Sequence, residues 1–285
     1  MFFLRIDSYS YSYSSEDGRG SYEVVGVSRL RDGPKCEEAC TLGSHGTLVL
    51  VQMARKQMVK SHYTFNETKG CGAAADIREG IDTGVLATKM DFADKKAVCF
   101  AAVHLSATGM KQKSKCLENF FKTAEEKIDW TTECDAHFLF GDFSTKTGER
   151  TEGSERSGLH FGKGTKFNSL KRRDQLTGVL PFDSPARRNL LGNINMAQKN
   201  IYREGRVHFL PTSTVTDPSK YCGGEFPCYE SSQPLSWPDR ILHTKGKRTA
   251  YKAVYAEYGP HFPVFAEYEL FGEDALVIGP SRKLF

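Results

Sequence analysis

Short apolar or alternating runs recur along this chain, each closed by a polar turn. They restrict it to a fold built mainly of strands. The runs cover residues 22–27, 47–53, 85–90, 97–104, 136–140, 241–243, 253–256 and 264–270. Residues 85–90 and 97–104 flank Asp91-Phe92-Ala93-Asp94-Lys95 and predict an antiparallel pair. Residues 117–128 carry apolar side chains at 117, 120, 121, 124 and 128, one face of a helix. Further helices are expected over 167–178 and 185–200, and loops over 144–166 and 211–236. Loops of that length are commonly functional or disordered. Many strands, few helices and long loops together predict a two-sheet α/β sandwich.

The 285 residues are 39% hydrophobic, enough for one large domain or two small ones. No apolar heptad pattern is sustained, which excludes a coiled coil, and no run of 18 apolar residues exists to span a membrane. Met1-Phe2-Phe3-Leu4 is too short for a secretory apolar region. Residues 1–20, with alternating Ser and Tyr, read as low-complexity and disordered. Residues 21–272 read as the folded domain and 273–285 as a tail. The net charge of +4 gathers in short basic runs such as Lys171-Arg172-Arg173 and Lys245-Gly246-Lys247-Arg248, which suit either solvated surface or a phosphate-rich partner. Cys36/Cys40 and Cys222/Cys228 lack the spacing of a structural zinc site. Cys99 and Cys116 read as buried or surface thiols, so a reducing, cytoplasmic setting is expected.

Four candidate sites stand at the ends of predicted strands. His104 closes an apolar strand and is either a strand-end residue with a backbone partner or a donor to a phosphate oxygen. Asp142 follows Gly141 at the mouth of a buried strand, where it either forms the turn or orients and deprotonates a water. In Ser236-Trp237-Pro238-Asp239-Arg240-Ile241-Leu242, Asp239 can hold a histidine tautomer, and Arg240 can neutralise phosphate or pair with another acid. His261, in Gly259-Pro260-His261, can bind a transferring phosphoryl group. The chain has no nucleophile elbow and no Gly-x4-Gly-Lys-Ser/Thr loop, so a water beside a divalent ion is the natural nucleophile.

In chain order these pieces resemble the endonuclease/exonuclease/phosphatase superfamily, and within it the inositol polyphosphate 5-phosphatases. The match runs through Thr83-Gly84-Val85-Leu86-Ala87, Val103-His104-Leu105, Phe140-Gly141-Asp142-Phe143-Ser144, Glu204-Gly205 through Phe209-Leu210-Pro211-Thr212, the Trp237-Pro238-Asp239-Arg240 string and His261-Phe262-Pro263-Val264. The resemblance implies a four-layer α/β sandwich and Mg²⁺-dependent hydrolysis of the 5-phosphate of a phosphoinositide or inositol polyphosphate. It makes His104, Asp142, Asp239 and His261 catalytic, with Ser144 and Arg240 against the substrate. Peripheral membrane contact fits such a substrate; nucleic acid does not.

The chain departs from the family pattern at several points. Ala102 and Ser144 stand where the family has asparagines, and Pro260 where it has an aspartate. Asp82-Thr83-Gly84 replaces an Asn-Lys-Gly turn, and the strands bearing the principal metal-binding glutamate are expected before Tyr22, where only the Ser/Tyr tract stands. An N-terminally incomplete or diverged copy with reduced turnover is therefore expected. The alternatives are a catalytically inactive phosphoinositide-binding or scaffolding homologue and, further off, a nuclease of the same superfamily.

Overall fold

The computed structural model describes residues 2–5, 22–29, 46–52, 59–69, 71, 83–93, 95–105, 109–147, 171–172, 174–177, 189–198, 202–213, 215, 227–229, 235–255, 261–270 and 274–278. Twelve strands among them are β1 (Phe2–Arg5), β2 (Tyr22–Arg29), β3 (Gly46–Gln52), β4 (Val59–Glu67), β5 (Gly84–Phe92), β6 (Ala97–His104), β7 (Ala136–Asp142), β8 (Arg203–Glu204), β9 (Asp239–His243), β10 (Lys247–Ala253), β11 (Val264–Leu270) and β12 (Asp274–Ile278). The helices are α1 (Met110–Ile128), α2 (Trp130–Glu133) and α3 (Leu190–Ala197).

The strands form two six-stranded sheets. One runs β10-β11-β12-β1-β3-β2 and the other β4-β5-β6-β7-β9-β8. In the second sheet β5 and β6 are antiparallel, as expected. The α1–α2 crossover makes β6 and β7 parallel, and β9 returns antiparallel to β7. Side chains alternate across this sheet. Cys99, Ala101, Val103, Leu139 and Leu242 face a core shared with Phe120, Phe121 and Trp130 of the helices. Val98, Phe100, Ala102, Phe138, Phe140 and Ile241 face Ala266, Tyr268 and Leu270 of the other sheet. Helix, sheet and sheet therefore stack as an α/β sandwich of the expected class.

Several boundaries move. Helix α1 begins at Met110 rather than 117, because Lys111, Lys113 and Lys115 mask its apolar periodicity. It ends where Asp129 turns left-handed at φ 45° and returns its N–H to Glu125 O. Strand β4 was not anticipated; most of its side chains between Lys60 and Glu67 are exposed, as suits a sheet edge. The expected strand at 253–256 lies earlier, as the charged edge strand β10. Within the helices expected over 167–178 and 185–200, the described helical residues are 171–172 and Leu190–Ala197. At the chain ends, Phe2–Arg5 of the segment expected to be disordered pairs with β3 and β12, and Asp274–Ile278 of the expected tail pairs with β11; residues 6–20 and 279–285 lie outside the described residues.

The cysteines also differ from expectation. Cys71 is bonded to Cys116 and Cys99 to Cys134, and Cys228 is disulfide-bonded as well. Among the described residues no cysteine is free. The partners are 45 and 35 positions apart, so only the folded packing of α1 and of β6 against the start of β7 brings them together. Cys99 and Cys116, expected as thiols, are therefore paired. Among the described residues, no helix is long and apolar enough to cross a membrane.

Candidate active site

One register row builds the site. His104 at the end of β6 pairs with Asp142 at the end of β7, and Asp142 pairs with Asp239 at the start of β9. By strand alternation all three lie on the face of Phe100, Phe140 and Ile241, at the edge of the inter-sheet core. His104 Nε2 stands 3.8 Å from Asp142 Oδ2, and both side chains are partly exposed.

The turn after β7 aims Asp142. Gly141 has φ 124°, and a Cβ there would meet Val103 O at 2.2 Å, so only glycine lets β7 pass β6 this closely. Leu105 N donates to Asp142 O at 2.9 Å and Phe143 N to Pro238 O at 2.8 Å. Ser144 is left-handed at φ 47°, and its N–H donates to Asp142 Oδ1 at 2.5 Å.

His261 arrives from a separate segment. Thr212 N donates to Ser236 O at 3.0 Å, and Phe262 N donates to Thr212 O at 2.7 Å, so residues 211–213 lie between the Trp237 segment and the histidine. Trp237, 1% exposed, anchors this layer by donating from Nε1 to Phe209 O at 3.0 Å. The result places His261 Nδ1 2.9 Å from Asp239 Oδ2. Asp142, Asp239 and His261 offer ligand atoms all within 4.8 Å of one another, the group among the described residues that can hold a divalent ion. Two carboxylates suit a hard cation that keeps several waters.

Burial alone lowers the His261 pKa, but the Asp239 charge and hydrogen bond outweigh it and Asp142 adds to them, raising it to about 9. Burial pushes Asp239 up while His261 pulls it down. With two acids around one imidazole, the proton rests on His261 at neutral pH. The buried Lys113, whose Nζ donates to Ser144 O at 2.5 Å, is pushed down to about 8 by burial; Lys146 adds to the shift and Asp142 opposes it.

Four expected residues, His104, Asp142, Asp239 and His261, thus converge, with Ser144 beside them. Arg240 does not join them. It points to the opposite face of β9 from Asp239, is 2% exposed, and is bound to Asp174 Oδ2 at 2.6 Å, to Glu204, and to Trp237 O. Period-two alternation makes this correction necessary: adjacent strand residues cannot both face the site. Burial raises Glu204 and Tyr251, which donates to Glu204 Oε1 at 2.7 Å; the acids Asp174 and Glu204 hold Arg240 well above its ordinary value against burial. Asp174 and Lys113 were not anticipated, since each sits in a charged stretch that reads as surface. Pro260 lies outside the described residues.

The profile of the family described as Endonuclease/Exonuclease/phosphatase family 2 matches residues 37–267. Among solved structures, the inositol polyphosphate 5-phosphatase domain of SPsynaptojanin, in complex with inositol (1,4)-bisphosphate and calcium ion, is 16% identical with a TM-score of 0.60. The match covers 93% of this chain and 65% of that one, so this chain spans less than two thirds of it. The human Nocturnin catalytic domain with bound sulfate is 12% identical, with 88% and 66% covered and a TM-score of 0.36. A functionally unknown conserved protein from Enterococcus faecalis V583 is 13% identical, with 79% and 71% covered and a TM-score of 0.41. No curated protein sequence matches. The chain belongs to the endonuclease/exonuclease/phosphatase family 2, and its fold is that of this superfamily.

Proposed function

We propose that the chain is a phosphoesterase that hydrolyses the 5-phosphate of a phosphoinositide or inositol polyphosphate with Mg²⁺ as the metal. The observation that carries this is the convergence of His104, Asp142 and Asp239 in one register row with His261 bonded to Asp239. The protonated His261 donates to the phosphoryl oxygens and is held in orientation by Asp239. Asp142 orients the attacking water, and His104, across from it, contacts the phosphate. Asp142 and Asp239 would hold the Mg²⁺, which when bound supplies charge neutralisation to the phosphoryl group. The substrate class is carried from the Trp237-Pro238-Asp239-Arg240-Ile241-Leu242 string and from the inositol phosphate in the SPsynaptojanin structure.

A second possibility is a phosphoinositide-binding homologue without turnover. Ala102 favours it, lying on the site face where the family pattern has an asparagine. A panel of 5-phosphorylated inositol lipid, soluble inositol polyphosphate and single-stranded DNA decides between them. Mg²⁺-dependent phosphate release from the first two supports hydrolysis. Binding independent of Mg²⁺ without release supports the binder, and release of nucleotides points to a nuclease.

A further inference from the structure

Lys113 lies in the first turn of α1, where Gly109 provides no side-chain cap and no acidic residue offsets the charge. A cation there opposes the helix dipole. Lysine is also among the residues least often buried, yet this one is 2% exposed. Its hydrogen-bond acceptor is a neutral carbonyl, Ser144 O, at 2.5 Å. Local helix stability therefore gives no reason for the ammonium to be here.

The turn it touches does. Ser144 is a non-glycine residue held at φ 47°, a conformation that needs support from its surroundings. The amide of that same residue donates to Asp142 Oδ1, and the other carboxylate oxygen, Oδ2, faces His104. Backbone bonds from Leu105 and to Pro238 fix the main chain around Asp142, whereas the Ser144 amide fixes its carboxylate.

We propose that Lys113 is a positioning residue for Asp142. By holding the Ser144 carbonyl in its left-handed turn, it aims the Ser144 amide at Oδ1 and leaves Oδ2 turned toward His104. The kinetic consequence rests on the phosphoesterase reading; the structural one does not.

The test compares the full chain with Lys113→Met and Lys113→Gln, whose amide can still donate to the carbonyl. Amide hydrogen exchange is read at Ser144, with thermal unfolding and with kcat and KM for a 5-phosphorylated inositol lipid. In K113M, exchange at Ser144 is expected to quicken about tenfold, the size of one lost charge-assisted hydrogen bond, while core amides and the unfolding midpoint hold. kcat is expected to fall about tenfold or more with KM unchanged, because only the aim of Asp142 changes. K113Q is expected to fall between K113M and the parent, and it carries the comparison if K113M does not fold. Unchanged Ser144 exchange overturns the proposal, as does equal quickening at all amides. If the parent releases no phosphate, the phosphoesterase reading fails and Ser144 exchange still decides the role of Lys113.

Discussion

His261 Nδ1 stands 2.9 Å from Asp239 Oδ2, a contact between residues 22 positions apart, joined through the 211–213 segment. The carboxylate fixes which face of the imidazole is turned outward. Asp239→Asn leaves the shape but removes the charge that holds the proton, so kcat should fall about 10²-fold in the protein that remains folded. Steady-state kinetics beside a thermal melt checks this; equal turnover in D239N and the parent contradicts it.

The same contact sets a pH dependence. The folded His261 pKa of about 9 lies above its ordinary 6.5. The pair's contribution to stability is therefore fully present below pH 6.5 and lost as pH rises through about 9. The stability difference between the parent and His261→Gln, measured by denaturant unfolding at a series of pH values, should shrink across that window. A difference that grows with pH has the wrong sign for this assignment.

Arg240 is a structural cation rather than a substrate contact, because Asp174 and Glu204 enclose it away from the site. Arg240→Met leaves two buried acids without their cation and should destabilise by about 3–5 kcal/mol. Asp174→Asn should destabilise less. Neither should raise KM in the fraction that remains folded, as measured by kinetics corrected for active-site content. A raised KM at normal stability would put Arg240 back against the substrate.

The disulfides Cys71–Cys116 and Cys99–Cys134 close loops of 45 and 35 residues. Loop entropy assigns each about 4 kcal/mol. Cys71→Ala with Cys116→Ala should lower the unfolding free energy by an amount of that order, and the described cysteines of protein folded under oxidising conditions should yield no free thiol in a colorimetric assay. Full thiol reactivity in the native state would contradict these pairings.

The sequence carried the parts of the fold in which a short period repeats over a buried strand. Residues 97–104 and 264–270 read correctly because their apolar positions are packed against both neighbours. Strand β4 and the first turns of α1 were hidden by exposed or charged side chains, since burial there is set by partners rather than by the local pattern. His104, Asp142, Asp239 and His261 were legible as strand-end polar residues. The opposite facing of Asp239 and Arg240 follows from alternation alone but is overridden when both are read as one motif. The cysteine pairs, Asp174 and Lys113 left no local signal, because tertiary packing supplies each of their partners.

The most direct measurement is phosphate release from a 5-phosphorylated inositol lipid in Mg²⁺, comparing the chain with Asp142→Ala and His261→Ala. Turnover that falls about 10²–10³-fold in both variants, with folding intact, is the expected result. Release no greater in the parent than in the two variants would contradict catalysis at this site.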